Sequence, residues 1–233
     1  MSQLVQPQDI KSLIAQVQAE AEREEFPIDI PVYKTYNLPP SQPILYAGNL
    51  NSPLCFFGRD LGKDEVRARQ PLYGAAGTLV REGFFRAMHH RPPKNRTELD
   101  QQVCERILLT NTVPYKPPGN KAYSTAVKQR FRPFIEKLLV FYWHGNTIIT
   151  LGTEAFKWFI PYGRKGEIMN FWQQGDERYK QKIQVTLRAT DEQGMEHQKQ
   201  VTLMPLPHPS PLNQKYYSKF PEMLQKRLNQ SDF

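Results

Sequence analysis

Apolar residues along the chain follow two kinds of spacing. Ile10, Leu13, Ile14, Val17 and Ala21 recur at the helical interval directly after Asp9, a residue type that caps helix starts. This predicts a packing helix stopped by Pro27, beyond the acidic run Glu22 to Glu25. Pro27, Pro31, Pro39, Pro40 and Pro43 predict that Phe26 to Pro43 runs as extended chain over the surface. Short continuous apolar runs come next, Leu54 to Phe57, Ile107 to Leu109 and Thr147 to Leu151, each ending in Gly or a polar turn and each read as a buried strand. Helical stretches at Gly74 to Met88, Ser124 to Val140 and Thr153 to Phe159 alternate with them. The expected fold is α/β, with three layers and helices on both faces of a central, mainly parallel four-stranded sheet, Val201 to Met204 being the last strand. Two alternating runs, Ile183 to Ala189 and Gln198 to Met204, flank a turn at Asp191 to Gly194 and predict a β-hairpin inserted within residues 163–200. Residues 1–43 are expected to pack as a helix and proline-rich segment on a main domain of residues 44–233. There is no internal repeat.

Composition narrows this picture. A chain of 233 residues with 39% hydrophobic side chains can bury one substantial core. A formal net charge of +8 favours a polyanionic partner such as nucleic acid, through phosphate neutralisation and counterion release. Cys55 and Cys104 are far apart, belong to no CxxC pair, and read as reduced packing thiols. Met1 to Asp9 lacks the charged and apolar regions of a secretory signal, and no stretch of about 18 apolar residues occurs, so an intracellular, cytoplasmic location with no membrane partner is expected. His89 and His90 are adjacent on a predicted helix and point to different faces, with no further ligands gathered at metal spacing. No metal site is expected. Trp143, Trp158 and Trp172 read as packing residues, and the HxE and PCxxC signature of zinc deaminases is missing.

Ligands of open α/β sheets sit beyond the carboxyl ends of the strands, which directs attention to three loops. The first, Gly58-Arg59-Asp60-Leu61-Gly62-Lys63-Asp64-Glu65, is followed by Gln70 to Gly77, and its glycines allow close backbone approach to a ligand. The middle one runs from Thr110 through Asn111 and Tyr115-Lys116-Pro117-Pro118 to Asn120, an amide at a strand end before a proline-stiffened turn. The last is Leu206-Pro207-His208-Pro209-Ser210-Pro211-Leu212, a rigid track that loses little entropy on gripping a partner.

Together and in this order the loops resemble the uracil-DNA glycosylase superfamily. His208 to Leu212 is similar to its HPSPL signature, Thr110 to Asn120 resembles the TNxVKxxPPGN stretch of the iron-sulfur (family 4) branch, and Pro71 to Gly77 is similar to PFVGxAG. The resemblance spans about Leu54 to Leu228, residues 163–200 excepted. It implies a monomeric DNA-repair glycosylase, near the nucleoid, that flips a uracil or related deaminated base out of single- or double-stranded DNA and hydrolyses its N-glycosidic bond. That cleavage leaves positive charge on the sugar and negative charge on the base, so it needs a carboxylate by the first and donors by the second, jobs that suit Asp60 and His208. The resemblance implies that His208 donates to uracil O2, that Asp60 orients water, and that Asn111 reads the base edge. It places Gly58, Arg59, Gly62, Leu72 and Tyr73 around the base, and Lys116, Pro117, Pro209, Ser210 and Leu212 against DNA, with Leu212 as the wedge in the vacated stack.

Several positions depart from the family. The iron-sulfur branch needs four cysteines, so no cluster and no other cofactor is expected here. That branch reads GEAPG in the first loop, placing its catalytic Glu at Arg59, whereas family 1 reads GQDPY, placing its Asp at Asp60. The family 1 Tyr that blocks the thymine methyl group corresponds to Gly62, and the stacking aromatic of the iron-sulfur branch to Leu72, beside Tyr73. Glu65 is a reserve carboxylate. These departures admit hypoxanthine, xanthine or mispaired thymine as the base, or a DNA-binding module that has lost the cut; an enzyme of free nucleotides would leave the Leu212 loop without purpose.

Overall fold

A computed structural model describes residues 9–119, 121–164 and 166–230. Residues 1–8, on which most of the leader reading rests, and Asn120, the end of the middle loop motif, lie outside the described residues.

The apolar runs form the centre of one six-stranded sheet. In chain order its strands are β1 (Tyr46–Gly48), β2 (Leu54–Gly58), β3 (Ile107–Asn111), β4 (Thr147–Leu151), β5 (Ile183–Thr190) and β6 (Glu196–Leu206). Their spatial order is β1-β3-β2-β4-β6-β5. The inner four, β3, β2, β4 and β6, are parallel, and β1 and β5 close the two edges antiparallel. The parallel core matches the four strands expected. Side chains alternate between two apolar layers as strand pleating requires: Cys55, Phe57, Leu108, Ile148 and Leu203 face one, and Leu54, Phe56, Leu109, Ile149 and Met204 the other.

Helices cover both faces. On the first lie α1 (Ile10–Arg23), whose Leu13, Val17 and Ala21 enter the core, and α6 (Thr125–Lys137), through Val127, Phe131 and Ile135. Asp9 caps α1 by accepting from the Lys11 amide at 3.1 Å, and Ser124 caps α6 by accepting from Val127 at 3.3 Å. On the second face are α4 (Ala75–His89), α5 (Arg96–Cys104) and α10 (Phe220–Leu228). Shorter helices are α2 (Ile30–Thr35), α3 (Lys63–Ala68), α7 (Thr153–Lys157), α8 (Glu167–Trp172) and α9 (Gln214–Tyr217).

The proline-rich segment departs from the extended chain expected. Ile30–Thr35 is helical because Pro31 falls in the first turn, where its missing N–H is not needed. The hairpin also goes further than an appended insertion. Its second strand continues as β6 into the parallel core, so β5 is an edge of the main sheet rather than a separate unit. The helix expected to Val140 ends at Lys137 and passes into a π turn, Leu138–Tyr142.

Candidate active site

The chain reverses direction across β2: the connection from β2 leads to β3 on one side, and that from β3 returns to β4 on the other. In open sheets of this kind the crevice that takes ligands lies at the carboxyl ends of such strands. Gly58 and Asn111 are register partners at the ends of β2 and β3. A Cβ on Gly58 would lie 2.5 Å from Asn111 Oδ1 and 3.1 Å from Leu72 Cδ2, so three sequence-predicted residues meet at one point. Asn111 is buried, and its Oδ1 has no hydrogen-bond partner. A buried acceptor left unpaired costs about 1–3 kcal/mol, the kind of strain that a ligand donor relieves.

The turn after β2 is pinned to β3. Thr112 donates from its amide to Arg59 O at 3.0 Å and from Oγ1 to the same oxygen at 2.6 Å. This fixes Asp60, whose side chain is only 4% exposed and lies 2.7 Å from Arg59 Nε. The contact is ionic; neither carboxylate oxygen receives an aligned hydrogen bond. Burial pushes the Asp60 pKa above the usual carboxylate range, against the charges of Arg59 and Lys128.

His208 follows β6 across the crevice. Gly152, at the end of β4 with φ +91°, lies against it, since a Cβ there would come within 2.9 Å of His208 Cβ. The imidazole keeps an exposed surface, so its desolvation is partial. Crowding by protein first, and the charge of Arg59 second, press its pKa below the ordinary histidine value. A neutral ring with one N–H follows at neutral pH. Arg59 is the one charge that acts on both Asp60 and His208.

The loop after His208 is held by its own bonds: Ser210 N and Asn213 Nδ2 donate to His208 O at 2.9 and 3.1 Å, and Ser210 Oγ accepts from Leu212 N at 3.3 Å. Pro209 is buried, while Leu212 stands 94% exposed at the tip.

Other predicted residues have structural duties. The Glu65 carboxylate accepts from the amides of Gly62 (3.0 Å), Tyr73 (2.9 Å) and Gly74 (2.8 Å), which staples the two halves of the first loop and uses both its oxygens. Gly62 has no side chain for the same reason: a Cβ would lie 2.7 Å from Glu65 Oε2. Tyr73 donates its hydroxyl to Asp100 at 3.0 Å and carries Arg96 over its ring at 3.9 Å, which ties both hydroxyl and ring to α5. Lys116 corrects the expectation of a DNA contact: it is buried, with Nζ bonded to Asp29 Oδ2 (2.6 Å), Pro117 O (2.9 Å) and Gly119 O (2.8 Å). Pro117 is buried beside it, and the exposed proline of that turn is Pro118.

Sequence reasoning missed Arg81. It is fully buried in α4 and donates to Leu72 O (2.9 Å), Pro71 O (3.3 Å), Gln70 Oε1 (3.1 Å) and Asp100 Oδ1 (3.3 Å). It thereby holds Leu72 in its left-handed conformation, φ +52°. Tyr123 was also missed; it lies beside Asp60 with a buried, unpartnered hydroxyl. Among the described residues no three His, Cys, Asp or Glu side chains gather as metal ligands, and Cys55 and Cys104 alone do not fit an iron-sulfur cluster. The grooves between α1 and α6 and between α8 and β5 include no residue of these loops.

A mainly parallel sheet with a buried carboxylate, an unpaired amide oxygen and an imidazole at or just beyond the carboxyl ends of its strands fits a protein of the DNA glycosylase type. The chain belongs to the uracil DNA glycosylase superfamily, whose family model matches residues 45–231. A comparison with curated proteins gives no match. Membership supports a DNA glycosylase-type function with DNA as the partner. No helix among the described residues is long and apolar enough to cross a membrane.

Proposed function

We propose that the protein removes uracil from DNA by hydrolysing the bond between base and deoxyribose, with Asp60, Asn111 and His208 as its working residues. The observation that carries this reading is the buried Asp60 carboxylate, whose oxygens lack aligned donors, on the turn directly after Gly58, the residue that abuts Asn111 Oδ1. In this reading the flipped base enters between Gly58, Leu72 and Asn111. Its N3–H donates to the unpaired Asn111 Oδ1 and its O4 accepts from the same amide, a pattern that cytosine reverses. As the C1′–N1 bond breaks, its electron pair leaves with the base, and the neutral His208 ring donates to O2 as charge grows there. Asp60 stabilises the sugar cation, orients a water for attack at C1′, and takes the proton that the water loses.

On the DNA side, Leu212 fills the stack that the base leaves and Ser210 with the adjoining backbone grips phosphate. Gly62 has no side chain to set against a thymine methyl group, which makes mispaired thymine the first competitor to test. The experiment is base release from single- and double-stranded oligonucleotides carrying uracil, hypoxanthine, xanthine or mispaired thymine, with abasic sites revealed by alkali and free base measured separately. Uracil release that falls about a hundredfold or more in Asp60→Asn supports the reading. Salt-sensitive DNA binding with no abasic product from any lesion defeats it and favours a binding module.

A further inference from the structure

Position 59 carries arginine where the similar iron-sulfur branch has its catalytic glutamate, and the surroundings of this arginine assign it a different task. Thr112 fixes its backbone carbonyl with two bonds, 3.0 Å from the amide and 2.6 Å from Oγ1. Its Nε lies 2.7 Å from Asp60 Oδ2. Among the described residues no other cation pairs with Asp60, whose buried oxygens lack aligned donors. A carboxylate in that position takes up a proton unless an opposite charge compensates its lost hydration.

The other groups that face Asp60 contribute less. Lys128, on α6, acts on it through space but is bound to Glu154 of α7 at 2.9 Å. Tyr123, just before α6, turns its backbone toward Asp60, the smallest of these effects, and its hydroxyl is neutral, its pKa pushed up by burial.

We infer that Arg59 is the counter-ion that holds Asp60 as a carboxylate, and so sets the acid limit of the reaction. It is a positioning residue in this role. The inference rests on the proposed hydrolysis, which needs the ionised form: a protonated Asp60 cannot accept the proton from water or steady a cation.

The test compares wild type with Arg59→Gln and Arg59→Lys, the second keeping the charge. Carbon-13 NMR titration of the Asp60 carboxyl reads the effect without catalysis, and single-turnover uracil release across pH 5 to 9 reads it with catalysis. Expected for Arg59→Gln is a rise of about one unit or more in the Asp60 midpoint, about tenfold in its protonation equilibrium, with the acid limb of the rate profile moving up equally. Arg59→Lys restores most of the shift. An unchanged Asp60 titration in Arg59→Gln overturns the inference, as does a rate loss of the same size at every pH, which would make Arg59 a substrate contact instead. A shifted midpoint in a protein that releases no base from any lesion would leave the counter-ion standing and remove the glycosylase reading.

Discussion

Gly58 and Asn111 face each other across β2 and β3 so closely that a methyl group on the glycine would sit 2.5 Å from the Asn111 side-chain oxygen. The glycine carries ordinary extended backbone, so its smallness serves the neighbour and not the chain. Gly58→Ala should push the Asn111 amide out of register with a bound base. Overpacking of this kind costs about 1–3 kcal/mol, within reach of a folded protein. A displacement near 1 Å at a reading group costs about a hundredfold in rate. Single-turnover uracil release alongside thermal unfolding checks it; full activity in Gly58→Ala would mean that the amide does not read the base.

Arg81 should be far more important to stability than a helical arginine usually is. It is 0% exposed and its acceptors come from the loop before α4 and from Asp100 and Cys104 of α5. Arg81→Met leaves the carbonyls of Pro71 and Leu72 unpaired, Gln70 Oε1 with only the Cys104 thiol at 3.9 Å, and a carboxylate, Asp100, with only Arg96 as ion-pair partner. Removing one partner from such a site costs about 3–5 kcal/mol. Arg81→Lys should recover little, because a point ammonium cannot span a fork of acceptors. Urea denaturation of the two variants measures this, and a loss below 1 kcal/mol would show that the loop is held by Glu65 alone.

Much of the sheet was legible because its parallel strands are continuous apolar runs that end at chemistry-bearing loops: Leu54 to Phe57, Ile107 to Leu109 and Thr147 to Leu151 all lie within observed strands. Asp9 and its periodic apolar residues marked α1 in the same local way. What was hidden depends on distant partners. Arg81 reads as a solvated charge on a helix until the loop at Gln70–Leu72 folds back over it. Lys116 sits inside a motif that suggested phosphate contact, yet Asp29, 87 residues away, claims its ammonium. Gly152 gave no sign of its role because its neighbour, His208, arrives on the loop that follows another strand, β6. The three-residue edge β1 is too short to show a period, and α2 was masked by prolines that in fact begin it.

Lys116 separates stability from DNA affinity. Its side chain is 4% exposed and lies 2.6 Å from Asp29. Burial raises the Asp29 pKa, but the Lys116 hydrogen bond and charge outweigh it and leave the carboxyl below its usual value. A depressed carboxylate contributes stability that is present above its unfolded pKa, near 4, and is lost as pH falls through the folded value. Wild-type stability should therefore decline between about pH 5 and pH 2, and Lys116→Met should be less stable at pH 7 with a flatter acid decline. The slope of DNA affinity against salt should not change, since no phosphate partner is lost. A slope reduced by about one unit would return Lys116 to the DNA interface.

Leu212 offers the opposite combination. With 94% of its surface exposed, it buries almost nothing in the free protein, so Leu212→Ala should leave thermal stability within about 0.5 kcal/mol of wild type. If it fills the space that a flipped nucleotide vacates, its loss should matter where a stack exists to be filled. Unstacking and unpairing cost a few kcal/mol in duplex DNA and least in a single strand. Uracil release by Leu212→Ala should therefore fall about tenfold or more on duplex oligonucleotides and only slightly on single-stranded ones, with the duplex defect smallest opposite a mismatch. The ratio of the two rates is the measurement, and it cancels any general loss of active protein. An unchanged ratio would mean that this exposed leucine contacts DNA without entering it, and that another residue compensates for the extruded base.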